Sequence, residues 1–241
     1  MDFIEKVWAQ TIRLQCRTGS YAVWNSNSGA SLWLQLDKKN QLVGLTPFFN
    51  GNSEVIVGIT SQIKRSDDTE LEGAIYGWAD PSNGKPEDGA YPFVFDYINF
   101  GQLPRLKCPT IRKVNIVAFA HEINFSESEE KYYSTQNNKP GFASKSFIPS
   151  GTFSLENGKK DTPDSEAIFT GHIIESKFLK NEITNVEYYY IKVATLGGAY
   201  DIVADKELVN SEIVVGGIVT GSFYLCGKLI LEKKSILGNF V

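Results

Sequence analysis

The sequence predicts a mainly β protein, and three observations carry that expectation. Aromatic residues make up 12% of the 241 positions, and aromatic and β-branched side chains fit the pleated, half-buried surface of a sheet. The 21 glycines mostly punctuate apolar runs, which is where turns, bulges and close backbone approaches occur. Several runs alternate apolar and polar residues with a period of two, as at Leu32, Leu34 and Leu36. The detailed expectation is a small OB-like barrel in the C-terminal part, a β-rich N-terminal half that admits a second similar barrel, and one short helix near 126–137.

Phe3, Ile4, Val7, Trp8 and Ile12 stand at helical spacing, and a short amphipathic helix or a strand are both open readings there. The β texture starts at Tyr21. Residues 31–48 read as a hairpin turning at Lys38-Lys39-Asn40, and residues 54–60 as a further strand. An acidic loop at 66–70 precedes a strand over 71–80. Residues 81–89 carry two prolines and two glycines and form a surface loop. Residues 91–100 are apolar at nearly every position, so both faces of that strand are covered. A basic connector at 105–113 leads into a buried strand at 114–123. Ser126 followed by Glu129 has the S-x-x-E form of a capping box, and the helix ends at Asn137–Gly141.

Residues 142–165 are rich in Ser, Gly, Pro and Lys and mark a junction, although FIPSGTF is apolar enough to pack along the surface. The expected organisation is a β-rich domain at 1–141, a connecting segment at 142–165 and a barrel domain at 166–241. In that barrel, a strand interrupted by Gly171 is followed by a hairpin joined by Gly197-Gly198. A helical turn at 205–209 and two strands within 214–232, bent at Gly221 or Gly227, complete the order of a five-stranded OB-type barrel. At a constant offset of 98, Gly73 falls on Gly171, Ile75 on Ile173, Asn83 on Asn181 and Tyr91 on Tyr189, and the apolar run at Val114 meets that at Val214. Two readings stay open: tandem similar barrels, or the favoured one, a larger β domain with an unrelated first half.

The net charge of −4 and a pI near 5.4 provide no general attraction to phosphate backbones, which disfavours nucleic acid as a partner. No run reaches the roughly 18 apolar residues of a membrane helix, and the first residues lack a basic stretch followed by an apolar one. Cys16, Cys108 and Cys226 are odd in number and far apart, which argues against a disulfide framework and for reduced thiols in the cytoplasm. With His121 and His172 as the only histidines, a His-rich metal site is impossible, and no cofactor or metal is expected. The P-loop, dinucleotide, serine-hydrolase and zinc-peptidase motifs are all missing.

Four constellations merit weighing. Pro163-Asp164 with Glu175 and Lys177 has the P-D…E-x-K form in which two carboxylates hold Mg²⁺ and a lysine activates water. The simpler reading is a surface Glu and Lys on a barrel strand. His121-Glu122 at a strand end offers acid–base groups or a solvated rim. The span 66–96, which includes Asp80 and Asp96 near Trp78, holds eight acidic residues against Lys85, suiting a cation, a basic partner or plain solvation. Tyr188 and Tyr190 share one strand face beside Lys192 and either suit a ligand-binding platform, with Tyr189 in the core, or, the simpler reading, the tyrosines cover the barrel and stabilise it. The favoured function is a non-enzymatic binding or interaction protein with a protein or small ligand as partner and no membrane association. The alternatives are a Mg²⁺-dependent nuclease and single-stranded nucleic-acid binding.

Overall fold

A short helix, α1 (Phe3–Trp8), leads into a four-stranded antiparallel meander of β1 (Ile12–Gln15), β2 (Ser20–Asn25), β3 (Ala30–Leu36) and β4 (Leu42–Phe49). The computed structural model describes residues 3–102, 106–136, 141–150 and 163–230. Both readings of 3–15 hold in part: the helix ends at Trp8 and a strand starts at Ile12. The β3–β4 turn forms because Asp37 Oδ1 accepts from the backbone amides of Lys39 and Gln41 while Asn40 adopts a φ of 59°.

The second sheet has nine strands: β5 (Val55–Ile63), β6 (Ala74–Ala79), β7 (Pro92–Tyr97), β8 (Thr110–Ser126), β9 (Ser146–Pro149), β10 (Glu166–Lys180), β11 (Glu187–Thr195), β12 (Gly198–Asp205) and β13 (Ile218–Leu229). It contains two five-stranded rings. In the first, the meander β5-β6-β7 is closed by β13, parallel to β7, and β8, antiparallel to both β13 and β5. In the second, the meander β10-β11-β12 is closed by β8, parallel to β12, and β13, antiparallel to both β8 and β10. The β8–β13 pair belongs to both rings. Each half of the chain therefore lends the other its closing strand, and residues on both sides of 142–165 share one sheet.

Several expectations change. The segment 214–232 forms one strand within its described part, and the fifth strand of that ring is β8 from the N-terminal half. Gly221 marks a close approach, since a Cβ there would lie 2.2 Å from the Glu122 carbonyl oxygen. β10 runs through Gly171 without a break, its irregularity being a bulge between Ile173 and Glu175. Helix α2 (Glu129–Thr135) is capped by Ser128, whose hydroxyl accepts from the Lys131 amide at 3.2 Å. Ser126 cannot cap it because it is still paired with Ile218 in the β8–β13 ladder. The end of that helix at 137–140, and much of the junction (151–162), lie outside the described residues. Within the junction, Ser146–Pro149 packs as β9 on the edge of β10, with Phe147 buried in the core.

The two halves correspond strand for strand, β5 through β8 matching β10 through β13. Asp96 on β7 faces Cys226, Asp201 on β12 faces Val117, and Val117 and Cys226 face each other. The offset of 98 set β6 against β10, one strand out of step, and Val214, matched to Val114 of β8, lies in the turn before β13.

Phe93, Phe95, Phe147, Phe169, Phe223 and Tyr200 fill the rings, with Phe169 and Phe223 stacked at 4.1 Å. The first sheet lies over the shared strand pair, packing Tyr21, Trp33, Phe48 and Phe49 against Val117, Cys226, Tyr188 and Tyr190. Its rim is tied down where the Ser26 hydroxyl and the Asn27 amide donate to the Glu182 carboxylate, the latter at 3.0 Å. These bonds, Ser26's first, hold the Glu182 carboxyl below its ordinary range. The tie therefore stabilises fully above the usual glutamate pKa and is lost as pH falls through the lowered folded-state value. Glu182→Gln is expected to lose less melting temperature than the parent between neutral pH and about pH 3.5. An equal loss in both proteins would rule this tie out as a source of acid sensitivity.

Candidate functional site

The two places where a strand runs parallel to its borrowed partner carry matching polar groups. At one, Asp96 accepts from the Arg65 guanidinium at 2.7 Å, the Ser165 hydroxyl at 2.5 Å and the Tyr224 hydroxyl at 2.7 Å. At the other, Asp201 accepts from the Ser53 hydroxyl at 2.7 Å, the Ser53 amide at 3.0 Å, the Asn115 amide at 2.7 Å and the Tyr190 hydroxyl at 2.9 Å. Ser53 and Ser165 each precede the first strand of a ring, and Asn115 and Tyr224 each lie two residues before the facing pair Val117–Cys226.

The two aspartates differ in surroundings. Asp201 is fully buried and held by neutral donors, whereas the Asp96 side chain is 27% exposed and paired with a cation. Burial, and next the charge of Asp201, push the Tyr190 hydroxyl pKa up. Burial, then Cys226 and Asp96, do the same for Tyr224. Both phenols therefore remain protonated donors at neutral pH.

A cleft opens on each side of the first sheet, one beside each aspartate. The Asp96 cleft, of about 370 Å³, is walled by Leu45 and Pro47 of β4 and carries Asp67, Asp68, Glu72, Asp164 and Glu166 around the Arg65–Asp96 pair. Asp80, Glu87 and Asp88 of the acidic span do not line it. The Asp201-side cleft, of about 630 Å³, is lined by Ser53 and Asn115, by Trp33 and Phe48 of the first sheet, and by Lys228. Among the described residues, no group of three or more His, Cys, Asp or Glu is placed to hold a metal ion.

Of the residues singled out from the sequence, Glu175 and Lys177 lie on a barrel strand as in the simpler reading, apart from Asp164. Asp164 precedes β10 while Glu175 lies far along it, separated by about 36 Å of extended chain. Glu175 pairs with Lys177 at 2.5 Å, and that ammonium sits 5.8 Å from the Tyr190 ring centre. The structure thus brings Glu175 and Lys177 together but leaves Asp164 in the acidic cleft. His121 and Glu122 are exposed on β8, with His121 Nε2 3.8 Å from Glu166.

Tyr188 and Tyr190 do share one face, but the first sheet covers it. Phe49 stacks on Tyr190 at 5.0 Å and meets Tyr188 edge-on, and the Tyr188 hydroxyl donates to the Ser28 hydroxyl and carbonyl oxygens. The Lys192 ammonium donates to Asn52. Tyr188 and Tyr190 therefore lie under the first sheet instead of forming an open platform, Lys192 ties the connector between β4 and β5, and Tyr189 is the one left partly exposed, against Phe178. Beside Tyr188, an apolar groove of about 450 Å³ remains open along Trp24, Leu32, Phe48 and Phe119.

Sequence reasoning passed over the paired aspartates, although a signal exists. Asn52-Ser53-Glu54 and Asp164-Ser165-Glu166 are each followed two residues later by isoleucine, and Phe95-Asp96 and Tyr200-Asp201 repeat an aromatic–aspartate pair. Among the described residues no helix is long and apolar enough to cross a membrane. No family model, curated protein or solved structure matches this chain.

Proposed function

We propose that this chain is a non-enzymatic binding protein whose acidic cleft receives a basic, partly apolar segment of another polypeptide. The observation that carries this reading is the spread of carboxylates around the Arg65–Asp96 pair, with Arg65 the one cation among the described lining residues. The rim continues onto β4, where Leu42, Val43 and Leu45 are exposed. Dispersed carboxylates beside apolar side chains favour a chain carrying several cations and some apolar groups. Each ring reads as OB-like in its strand order, an architecture often used for binding. Odd, widely spaced cysteines support a cytoplasmic setting.

The test is fluorescence anisotropy of a labelled peptide of alternating Lys and Leu, against a Glu–Leu control. The Lys peptide is expected to bind, to weaken steeply with added salt, and to lose about tenfold in affinity with the combined Asp67→Asn, Asp68→Asn and Asp164→Asn variant. Equal binding of the control, or unchanged affinity of the triple variant, would sink the reading.

A further inference from the structure

The cleft on the Asp201 side of the first sheet has a different chemistry from its acidic counterpart. Lys228 lies on its wall with the ammonium 5.6 Å from the centre of the Trp33 ring, which also lines the cleft. Among the described residues that ammonium has no carboxylate and no hydrogen-bond acceptor. Glu54, the one acidic residue among the described residues of this wall, is paired instead with Lys113 at 3.3 Å. Burial alone lowers the Lys228 pKa, as desolvation without a counter-charge does. A half-buried, unpaired cation costs stability, and an anion brought to it removes that cost.

Amide side chains line the same cleft as the ammonium. Asn50, Asn99, Gln102 and Asn115 all line the cleft. Asn99 donates to Gln102 Oε1 at 3.1 Å, yet its own Oδ1 is buried without a partner. Trp33 Nε1 is likewise buried without one, although Trp33 is only 4% exposed. The Asn115 Nδ2 group is used by Ser53 and Asp201, while its Oδ1 and the Gln102 Nε2 have no partner among the described residues. Two buried unsatisfied atoms, Asn99 Oδ1 and Trp33 Nε1, on residues that line one cleft with an unpaired cation weaken a fold, so their presence together calls for an explanation outside folding. Amides present both a donor and an acceptor, the same pair that a hydroxyl presents in return.

We propose that this cleft binds a small polyhydroxylated anion, of the sugar-acid or sugar-phosphate kind, with its anionic group against Lys228 and its hydroxyls against the amides of Asn50, Gln102 and Asn115. The volume of about 630 Å³ suits a molecule of one or two sugar rings. The site is separate from the acidic cleft and does not depend on a polypeptide partner being found there.

Isothermal titration of the full chain with glucuronate, glucose 6-phosphate, glucose and inorganic phosphate tests it and distinguishes a carboxylate from a phosphate. At least one of the two sugar anions is expected to bind at least tenfold more tightly than both glucose and inorganic phosphate. Lys228→Gln is expected to abolish that preference. Gln102→Glu, a change on the cleft wall that keeps the side chain's size, is expected to weaken the anion at least fivefold. Melting temperatures of both variants establish that they fold. The proposal is overturned if neither sugar anion binds at millimolar concentration, if glucose or phosphate binds as well as they do, or if folded Lys228→Gln and Gln102→Glu bind as the parent does.

Discussion

Asp201→Ala is expected to lower the free energy of unfolding by about 3–4 kcal/mol, while Asp96→Ala lowers it by about 1–2 kcal/mol. The two aspartates hold the same place in the two rings, so the difference isolates burial from topology. Asp201 is fully buried, and its removal strands the Ser53 amide and empties the space between β12 and the approach to β5. A stranded buried donor costs its whole desolvation penalty, and a cavity adds to it. At Asp96 the side chain is partly exposed, so water replaces the lost acceptor and the Arg65 pair is screened. Urea unfolding of both variants at neutral pH decides the matter. Losses within about 0.5 kcal/mol of each other would show that burial does not separate the two sites.

Phe49→Ala is expected to cost about 3–4 kcal/mol and to loosen the first sheet before the rings. Phe49 is 5% exposed, stacks on Tyr190, touches Tyr188 and lies close against Gly29, where an added Cβ would come within 2.7 Å of its ring. It is the main aromatic link between β4 and β11. Amide hydrogen exchange should therefore accelerate over β1–β4 in the variant while β8, β10 and β13 keep their protection. Uniform acceleration across both sheets would mean that the two layers unfold as one unit.

Local features were legible from the sequence. The hairpin at 31–48, the Gly197-Gly198 turn, the loop at 81–89 and the helical turn after Asp205 all follow from alternation and turn chemistry acting within a few residues. The shared face of Tyr188 and Tyr190 follows from the two-residue period in the same way. What covers that face does not, because Phe49 and Ser28 lie about 140–160 residues away in the chain, and periodicity reports only that a face is apolar. The helix cap moved from Ser126 to Ser128 for a related reason: a ladder partner at Ile218 kept Ser126 in a strand against its local preference. The exchange of β8 and β13 is the largest departure. Both strands look like ordinary closing strands of their own halves, and nothing in their composition says which ring each will complete. Of the acidic span, Asp67, Asp68, Glu72 and Asp96 come together in one cleft, while Asp80, Glu87 and Asp88 do not. Lys228 gave no sign, since a lysine near the end of an apolar run looks solvated until Trp33 is placed beside it.

The shared strand pair also sets the order in which the molecule can be completed during synthesis. When β5 through β8 have left the ribosome, the ring they begin still lacks its fifth strand, which starts only at Ile218. Until then β7 and one side of β8 present unpaired backbone, a template for any strand that arrives first. Closure must wait for nearly the whole described chain, making this a slow, long-range event. In a crowded refolding mixture, the arriving strand can belong to a neighbouring molecule, so strand-exchanged dimers are the misassembly expected of this architecture.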